Sequence, residues 1–362
     1  MTQASRSFSR DYFSARERFR QAARQSPAHH SSHDCPAEGP RGEQLTTDCI
    51  WIGPREPRHL LVTLSGTHGT EGLCGSGLQT AWLEQRLWRE LPKDTAALLV
   101  HAINPYGFAH QRRETEENVD LNRNFLDFSE PLPVNSHYAR LHPLLCLESW
   151  DPDTRATSTA ALEAERRALG AAVFQQAVSG GQYSHPGGLF FGGRKASWSR
   201  RTLEAIFDSL PQSLEEIAVL DYHTGLGPYG YGERIVEHLP ETEGYLRASQ
   251  WFEEDITSAE AGTSASAALV GSNGTGIMRR AEHGRYTWIT LEYGTRPLEE
   301  VFEALRASNW LWRQGEPNSP QGREISAFLR ECFAPDDPQW QEQVWERALE
   351  TQRAALAGMQ GA

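Results

Sequence analysis

A histidine and a carboxylate three residues apart, His68 and Glu71, stand in a glycine-flanked turn just after the run His59-Leu-Leu-Val-Thr-Leu-Ser-Gly66. That run has the apolar, β-forming character of a buried strand and stops at glycine. A turn of this kind lets both side chains converge on one point, as two ligands of one ion must. An imidazole nitrogen with a carboxylate oxygen suits Zn2+. Alone, the His-x-x-Glu spacing recurs by chance. Three further segments give it meaning.

The first is Ile217-Ala-Val-Leu-Asp-Tyr-His223-Thr-Gly-Leu-Gly, where a second buried run ends in a histidine. A third ligand far along the chain is expected when ligands come from separate strands of one sheet. Three protein ligands leave a fourth position open, the mark of a catalytic zinc site. The second segment is Asn104-Pro-Tyr-Gly-Phe, then Arg112-Arg113, then Asn118-Val-Asp120-Leu-Asn122-Arg123-Asn124-Phe125. An Asn-Arg pair beside a metal suits a substrate carboxylate, and a separate arginine suits a developing oxyanion. Asp120 is placed to accept the free ring N–H of a metal-bound histidine. The third is Thr287-Trp-Ile-Thr-Leu-Glu292-Tyr293, a glutamate inside an apolar strand. Such burial is costly unless the group is paired or functional, and beside a metal it suits a general base.

Elements must hold these groups together. Strand-like runs are expected at 49–52, 60–64, 97–103, 217–222, 234–238 and 287–293. Helical patterns are expected at 11–25, 75–90, 159–178, 199–210, 243–253, 298–313 and 339–359. The alternation predicts a three-layer α/β/α sandwich with a mixed, mostly parallel central sheet. His68, Asn104, His223 and Glu292 fall at or just past strand carboxyl ends, where chemistry gathers in such folds. Residues 26–44 read as a polar loop with a solvated His29-His30 pair. The expected division is an N-terminal helix and loop over 1–45, a catalytic domain over 46–315, and a helical extension over 316–362.

The chain has 362 residues, 38% hydrophobic and 23% charged, with 35 Lys and Arg against 48 Asp and Glu. A net charge of −13 argues against non-specific nucleic-acid binding. The odd, scattered Cys35, Cys49, Cys74, Cys146 and Cys332 read as reduced thiols in a cytoplasmic protein. The amino terminus lacks an apolar signal core, and no run approaches a membrane span.

His-x-x-Glu, Asn-Pro-x-Gly, Asp-Leu-Asn-Arg-Asn-Phe, a strand-end histidine and a strand-borne glutamate, in this order, resemble the zinc carboxypeptidase superfamily. That group holds carboxypeptidase A-like peptidases and the aspartoacylase/succinylglutamate desuccinylase amidohydrolases. The likeness is greatest to a bacterial branch with SGTHGxEG, GLGPYGYGE and GQYxHPxGLFxGG blocks, the last here Gly181-Gln-Tyr-Ser-His-Pro-Gly-Gly-Leu-Phe-Phe-Gly-Gly193. The resemblance implies His68, Glu71 and His223 as ligands of one Zn2+ per chain, with Glu292 as general base. It implies Asn122 and Arg123 as carboxylate binders and Asp120 as the partner of His68. Arg112 and Arg113 are the two candidates for the oxyanion, Arg113 favoured. Tyr183 and His185 are candidate cleft residues. Peptidases of this group usually carry a mobile tyrosine before the glutamate, and residues 262–276 hold none.

The implied activity is zinc-dependent hydrolysis of an amide bond next to a free carboxylate, in a short peptide or small molecule. An N-acyl-amino-acid deacylase is the alternative, and a non-catalytic binding protein the remote one. A nucleotide enzyme is disfavoured, because residues 262–276 lack the Gly-Lys-Ser/Thr ending of a phosphate loop.

Overall fold

The computed structural model describes residues 5–361; the first four residues of the amino-terminal segment and Ala362 lie outside it. Its strands are β1 (His29–Glu38), β2 (Gln44–Ile52), β3 (His59–Leu64), β4 (Thr95–His101), β5 (Glu216–Tyr229), β6 (Gly232–Val236) and β7 (Arg285–Gly294). Its helices are α1 (Tyr12–Arg24), α2 (Gly72–Glu84), α3 (Pro105–Ala109), α4 (Tyr138–Leu145), α5 (Pro152–Leu169) and α6 (Ala171–Ser179). They continue with α7 (Trp198–Asp208), α8 (Glu243–Trp251), α9 (Asn273–Arg280), α10 (Leu298–Gln314), α11 (Pro320–Phe333) and α12 (Pro338–Gln360).

The strands form one sheet in the order β1-β2-β4-β3-β5-β7-β6. The four central strands, β4, β3, β5 and β7, run parallel, while β1, β2 and β6 add antiparallel edges. Every residue of β3 and β4 is buried, which explains why those runs read as continuously apolar and not alternating. Period-2 geometry sends alternate side chains to opposite layers. Leu61, Ala218, Leu220, Ile289 and Leu291 pack with α1, α2, α8 and α12. Leu60, Val62, Ile217, Val219 and Trp288 pack with α7 and α9 on the other face. A separate apolar cluster joins α4, α5, α6, α10 and α11. Helix starts follow local chemistry: Asp151, Ser319 and Asp337 cap α5, α11 and α12, each with proline next.

Three expectations are corrected. Residues 26–44 are not a loop, because β1 pairs antiparallel with β2 along most of its length. That strand is largely exposed, so it carries no apolar alternation to betray it. Its His30 is not simply solvated: Nε2 lies 3.0 Å from Asp48 Oδ1, in a cluster with Arg16 and Arg20. The helix expected over 159–178 is two helices, broken where Gly170 takes φ 82°. All five cysteines are buried and unpaired. Among the described residues no helix is long and apolar enough to cross a membrane.

Candidate metal centre and substrate cleft

Register brings the chemistry-bearing residues into line. β5 lies beside β7 with His223 opposite Glu292 and Asp221 opposite Thr290, while Asp221 is opposite Leu64 at the end of β3. His68 and Glu71 follow β3 at once. His223 and Glu292 therefore project from the same sheet face, just beyond the part covered by α7 and α9.

His68, Glu71 and His223 are all buried, and one ligand atom from each lies within 4.8 Å of the others. Nδ1 of His68 is 2.9 Å from Glu71 Oε1, and Nδ1 of His223 is 3.0 Å from Oε2. Tetrahedral zinc with bonds of about 2.0–2.1 Å sets ligand atoms about 3.3 Å apart, and the two histidine–Glu71 separations lie within a few tenths of an ångström of that. His68 Nδ1 makes no hydrogen bond despite its burial, so its lone pair is free for a cation. The donor set fits zinc.

The far sides of both rings meet carboxylates. Asp120 Oδ1 is 3.1 Å from His68 Nε2, and Asp221 Oδ2 stands 3.0 Å from His223 Nε2, off the hydrogen-bond axis. Such partners fix which nitrogen faces a metal. Asp221 in turn accepts from Thr67 Oγ1 at 2.9 Å and Asn273 Nδ2 at 2.7 Å. Burial alone would raise Glu71, but the adjacent His68 and His223 hold its carboxyl well below the usual range. Asp120 is likewise held down against burial, by Arg113 first, then Arg123 and His68. Burial works against the His223 cation, yet Asp221 and Glu71 raise it well above the ordinary histidine value.

Glu292 is buried, and its Oε1 accepts the Leu226 N–H at 3.0 Å. Burial, then the nearby Glu71 charge, push it up to about 8. A carboxyl poised there can both take and return a proton near neutral pH. Arg113 donates to Asp120 Oδ2 at 3.1 Å through Nε and to Glu71 Oε1 at 2.8 Å through Nη1. Asn104 sets this loop by donating to the Arg113 carbonyl at 3.2 Å. Asn122 and Arg123 line the same cavity of about 1360 Å³ as His68, Glu71, His223 and Glu292.

Three expected cleft residues are not brought there. Arg112 turns away, donating to Glu114 and Asn118 and stacking 4.4 Å from the Trp312 ring. Its Nη2 is committed to Glu114 and Asn118 and the residue does not line the cavity, so it is not placed to serve as an oxyanion or substrate group. Tyr183 is buried, with its hydroxyl on the Arg123 carbonyl at 2.6 Å. His185 packs against His142, with ring centroids 4.3 Å apart, and its Nδ1 meets Ser184 Oγ at 2.8 Å. Neither lines the cavity.

Asp221, Thr67, Asn273 and Glu237 escaped the sequence reading. Asp221 had a signal, since it precedes His223 by two residues on one strand and so shares its face. The other three are joined to the site only by tertiary packing.

A family model described as a protein of unknown function, DUF2817, matches residues 8–347. The chain belongs to that family. No protein of curated function matches it in sequence. Solved structures match more distantly. An aspartoacylase family protein from Mesorhizobium loti is 16% identical, with a TM-score of 0.41, over 79% of this chain and 67% of that one. Bovine thrombin-activatable fibrinolysis inhibitor, in complex with tick carboxypeptidase inhibitor, is 9% identical, with a TM-score of 0.42, over 93% and 98%. Murein-tripeptide amidase from Escherichia coli O157 is 16% identical, with a TM-score of 0.35, over 83% and 97%.

Proposed function

We propose that this chain is a zinc-dependent hydrolase that cleaves an amide bond next to a free carboxylate, in the manner of a carboxypeptidase. The observation that carries the reading is the His68–Glu71–His223 triad, within 4.8 Å, beside a buried Glu292 on one cavity wall. Bound in that triad, zinc would supply Lewis acidity, polarising a carbonyl and acidifying water.

The chain's own groups have separate tasks. Glu292 takes a proton from the attacking water on a carboxylate oxygen and passes it to the departing amine. Arg113, already oriented by Asp120 and Glu71, keeps Nη2 without a protein hydrogen bond among the described residues and offers it to the carbonyl oxygen as charge develops. Asn122 and Arg123 receive the substrate carboxylate. Arg123 donates through Nε to the Ser179 carbonyl at 3.0 Å and through Nη1 to the Asn122 carbonyl at 3.0 Å, which restricts its guanidinium. Beyond the cradle, Leu162, Phe174, Val178 and Phe302 give the cavity an apolar wall. A cavity of about 1360 Å³ exceeds what a small N-acyl amino acid fills, which favours the peptide reading over the deacylase alternative.

The test is metal analysis with a screen of dipeptides against N-acyl amino acids. About one zinc per chain and turnover of free-acid peptides are expected. A zinc-free, chelator-indifferent protein, or equal turnover of substrates with amidated termini, would overturn the reading.

A further inference from the structure

Asn273 is a buried residue at the first position of α9, and it touches both halves of the site without lining the cavity. Its side-chain Nδ2 donates to Asp221 Oδ2 at 2.7 Å, the oxygen that stands 3.0 Å from His223 Nε2. Its backbone N–H donates to Asn122 Oδ1 at 3.2 Å. One residue thus meets the carboxylate behind a candidate metal ligand and the amide that faces the substrate.

Each contact decides an orientation. An amide presents an oxygen on one side and an NH2 group on the other, and only the oxygen accepts. The Asn273 oxygen is taken by the Gly274 N–H at 2.7 Å, so its NH2 group is turned to Asp221. Among the described residues no arginine or lysine pairs with Asp221, and Thr67 Oγ1, at 2.9 Å, is its one other neutral donor. The Asn122 oxygen is taken by the Asn273 N–H, which leaves the Asn122 NH2 group for the cavity. Among the described residues that group makes no hydrogen bond to protein.

The turn before α9 is anchored so that neither contact is loose. Gly271 takes φ 85° and accepts the Phe125 N–H at 3.0 Å. A Cβ there would stand 2.7 Å from the Arg123 carbonyl oxygen, so this turn is pressed against the one that carries Asn122 and Arg123. Ser272 then caps α9 by accepting the Thr275 N–H at 3.3 Å.

We propose that Asn273 is a positioning residue for both parts of the centre. Its side chain holds Asp221 against His223, and its N–H holds the Asn122 amide in the sense that receives a carboxylate. The second half rests on the reading of Asn122 as a carboxylate binder. A donor lost behind a metal ligand weakens metal affinity by roughly 10–100-fold. A donor lost behind Asn122 lets that amide turn its oxygen toward the negative charge of the substrate.

Substitutions at one position separate the two halves. Asn273→Ala and the shape-matched Asn273→Leu keep the N–H and lose the amide. Both should weaken zinc binding by roughly 10–100-fold, measured by chelator competition without turnover. At saturating zinc their KM for free-acid peptides should stay within about threefold of the unmutated value. Agreement between the two variants excludes a cavity as the cause. Asn273→Pro removes the N–H as well. Proline suits the first position of a helix, and Ser272, at φ −65° and ψ 151°, has the extended backbone that a following proline requires. This variant should match alanine in zinc affinity and raise KM for free-acid peptides by about a further tenfold, with kcat held. Ser272→Ala, which loses the cap of the same helix and neither contact, should leave zinc affinity within about twofold.

Unchanged zinc affinity in Asn273→Ala and Asn273→Leu overturns the inference, as does an equal loss in Ser272→Ala. Equal KM in the alanine and proline variants overturns its second half. Peptides left intact by the unmutated, zinc-loaded chain count against the activity reading alone, because the zinc affinities still decide the inference. An unmutated chain that takes up no zinc sinks both.

Discussion

Two glycine-rich, histidine-bearing segments look alike as sequence and do different work in the molecule. In the turn after β3, His68 and Glu71 meet each other and His223. In the 181–193 loop, His185 meets His142, and Tyr183 meets a backbone carbonyl. The second segment supports the first. Its Phe190 ring lies under both arginines of the cleft, 5.7 Å from the Arg113 guanidinium carbon and 5.6 Å from that of Arg123. Its Gly192 sits so near the Asn122–Asn124 turn that a Cβ would lie 2.6 Å from the Arg123 carbonyl. A dense motif marks a constrained backbone; whether its side chains do chemistry depends on whether they end a central strand.

The sharpest way to break this contrast is to exchange the fates of the two histidines. His68→Ala should lose zinc and turnover together, by three orders of magnitude or more, measured by metal analysis and kinetics. His185→Ala should keep its zinc and stay within about threefold of full activity. Comparable losses in both would erase the distinction. Next in size, Glu292→Gln should retain zinc while kcat falls by at least a thousandfold, since no base remains. Substantial residual turnover would demote Glu292 to a structural group.

Smaller effects should separate support from contact. Phe190→Ala removes the ring beneath both arginines, a loss of about 0.5–2 kcal/mol per cation–π contact. It should lower kcat/KM roughly tenfold or more with zinc unchanged. Tyr183→Phe should raise KM for free-acid substrates severalfold, because the hydroxyl that pins the Arg123 carbonyl is gone. Unaltered kinetics in both variants would detach the loop from the cleft.

The smallest expected effect is on stability against pH. Burial, followed by His185 and Arg313, pushes the His142 pKa down to about 4. The unfolded chain takes up that proton near pH 6.5 and the folded chain only near 4. Above pH 6.5 the residue contributes no pH dependence. Between 6.5 and 4 the unfolded state binds more protons, so stability rises with pH and is lost as the pH falls through that window. The melting temperature should therefore drop less steeply over that window in His142→Gln than in the unmutated chain. Parallel curves would show that this histidine is not held neutral.

Much of this protein was legible without coordinates. His68, Glu71, His223, Glu292, Asn122 and Arg123 line one cavity and Asp120 meets His68, a gathering the sequence anticipated because residue type, strand ends and chain order already limit where such groups can meet. Periodicity located the central strands, whose two-sided burial leaves unbroken apolar runs. It missed β1, whose ordering comes from backbone pairing with β2 and leaves no apolar trace.

Local sequence could not decide between neighbours. Arg112 and Arg113 are adjacent and chemically identical, yet one guanidinium stacks on Trp312 while the other reaches Glu71 and Asp120. That choice depends on partners 200 and 42 residues away in sequence. The same holds for Glu237, whose carboxylate oxygens are held by Ser272 and Thr290, 35 and 53 residues further along the chain. The sequence determined which metal-binding and proton-transferring groups the chain has to offer, because those capacities are properties of single residues. Only the tertiary structure decided which side chains face the cleft, because burial and charge balance are set by whatever distant residue is packed alongside.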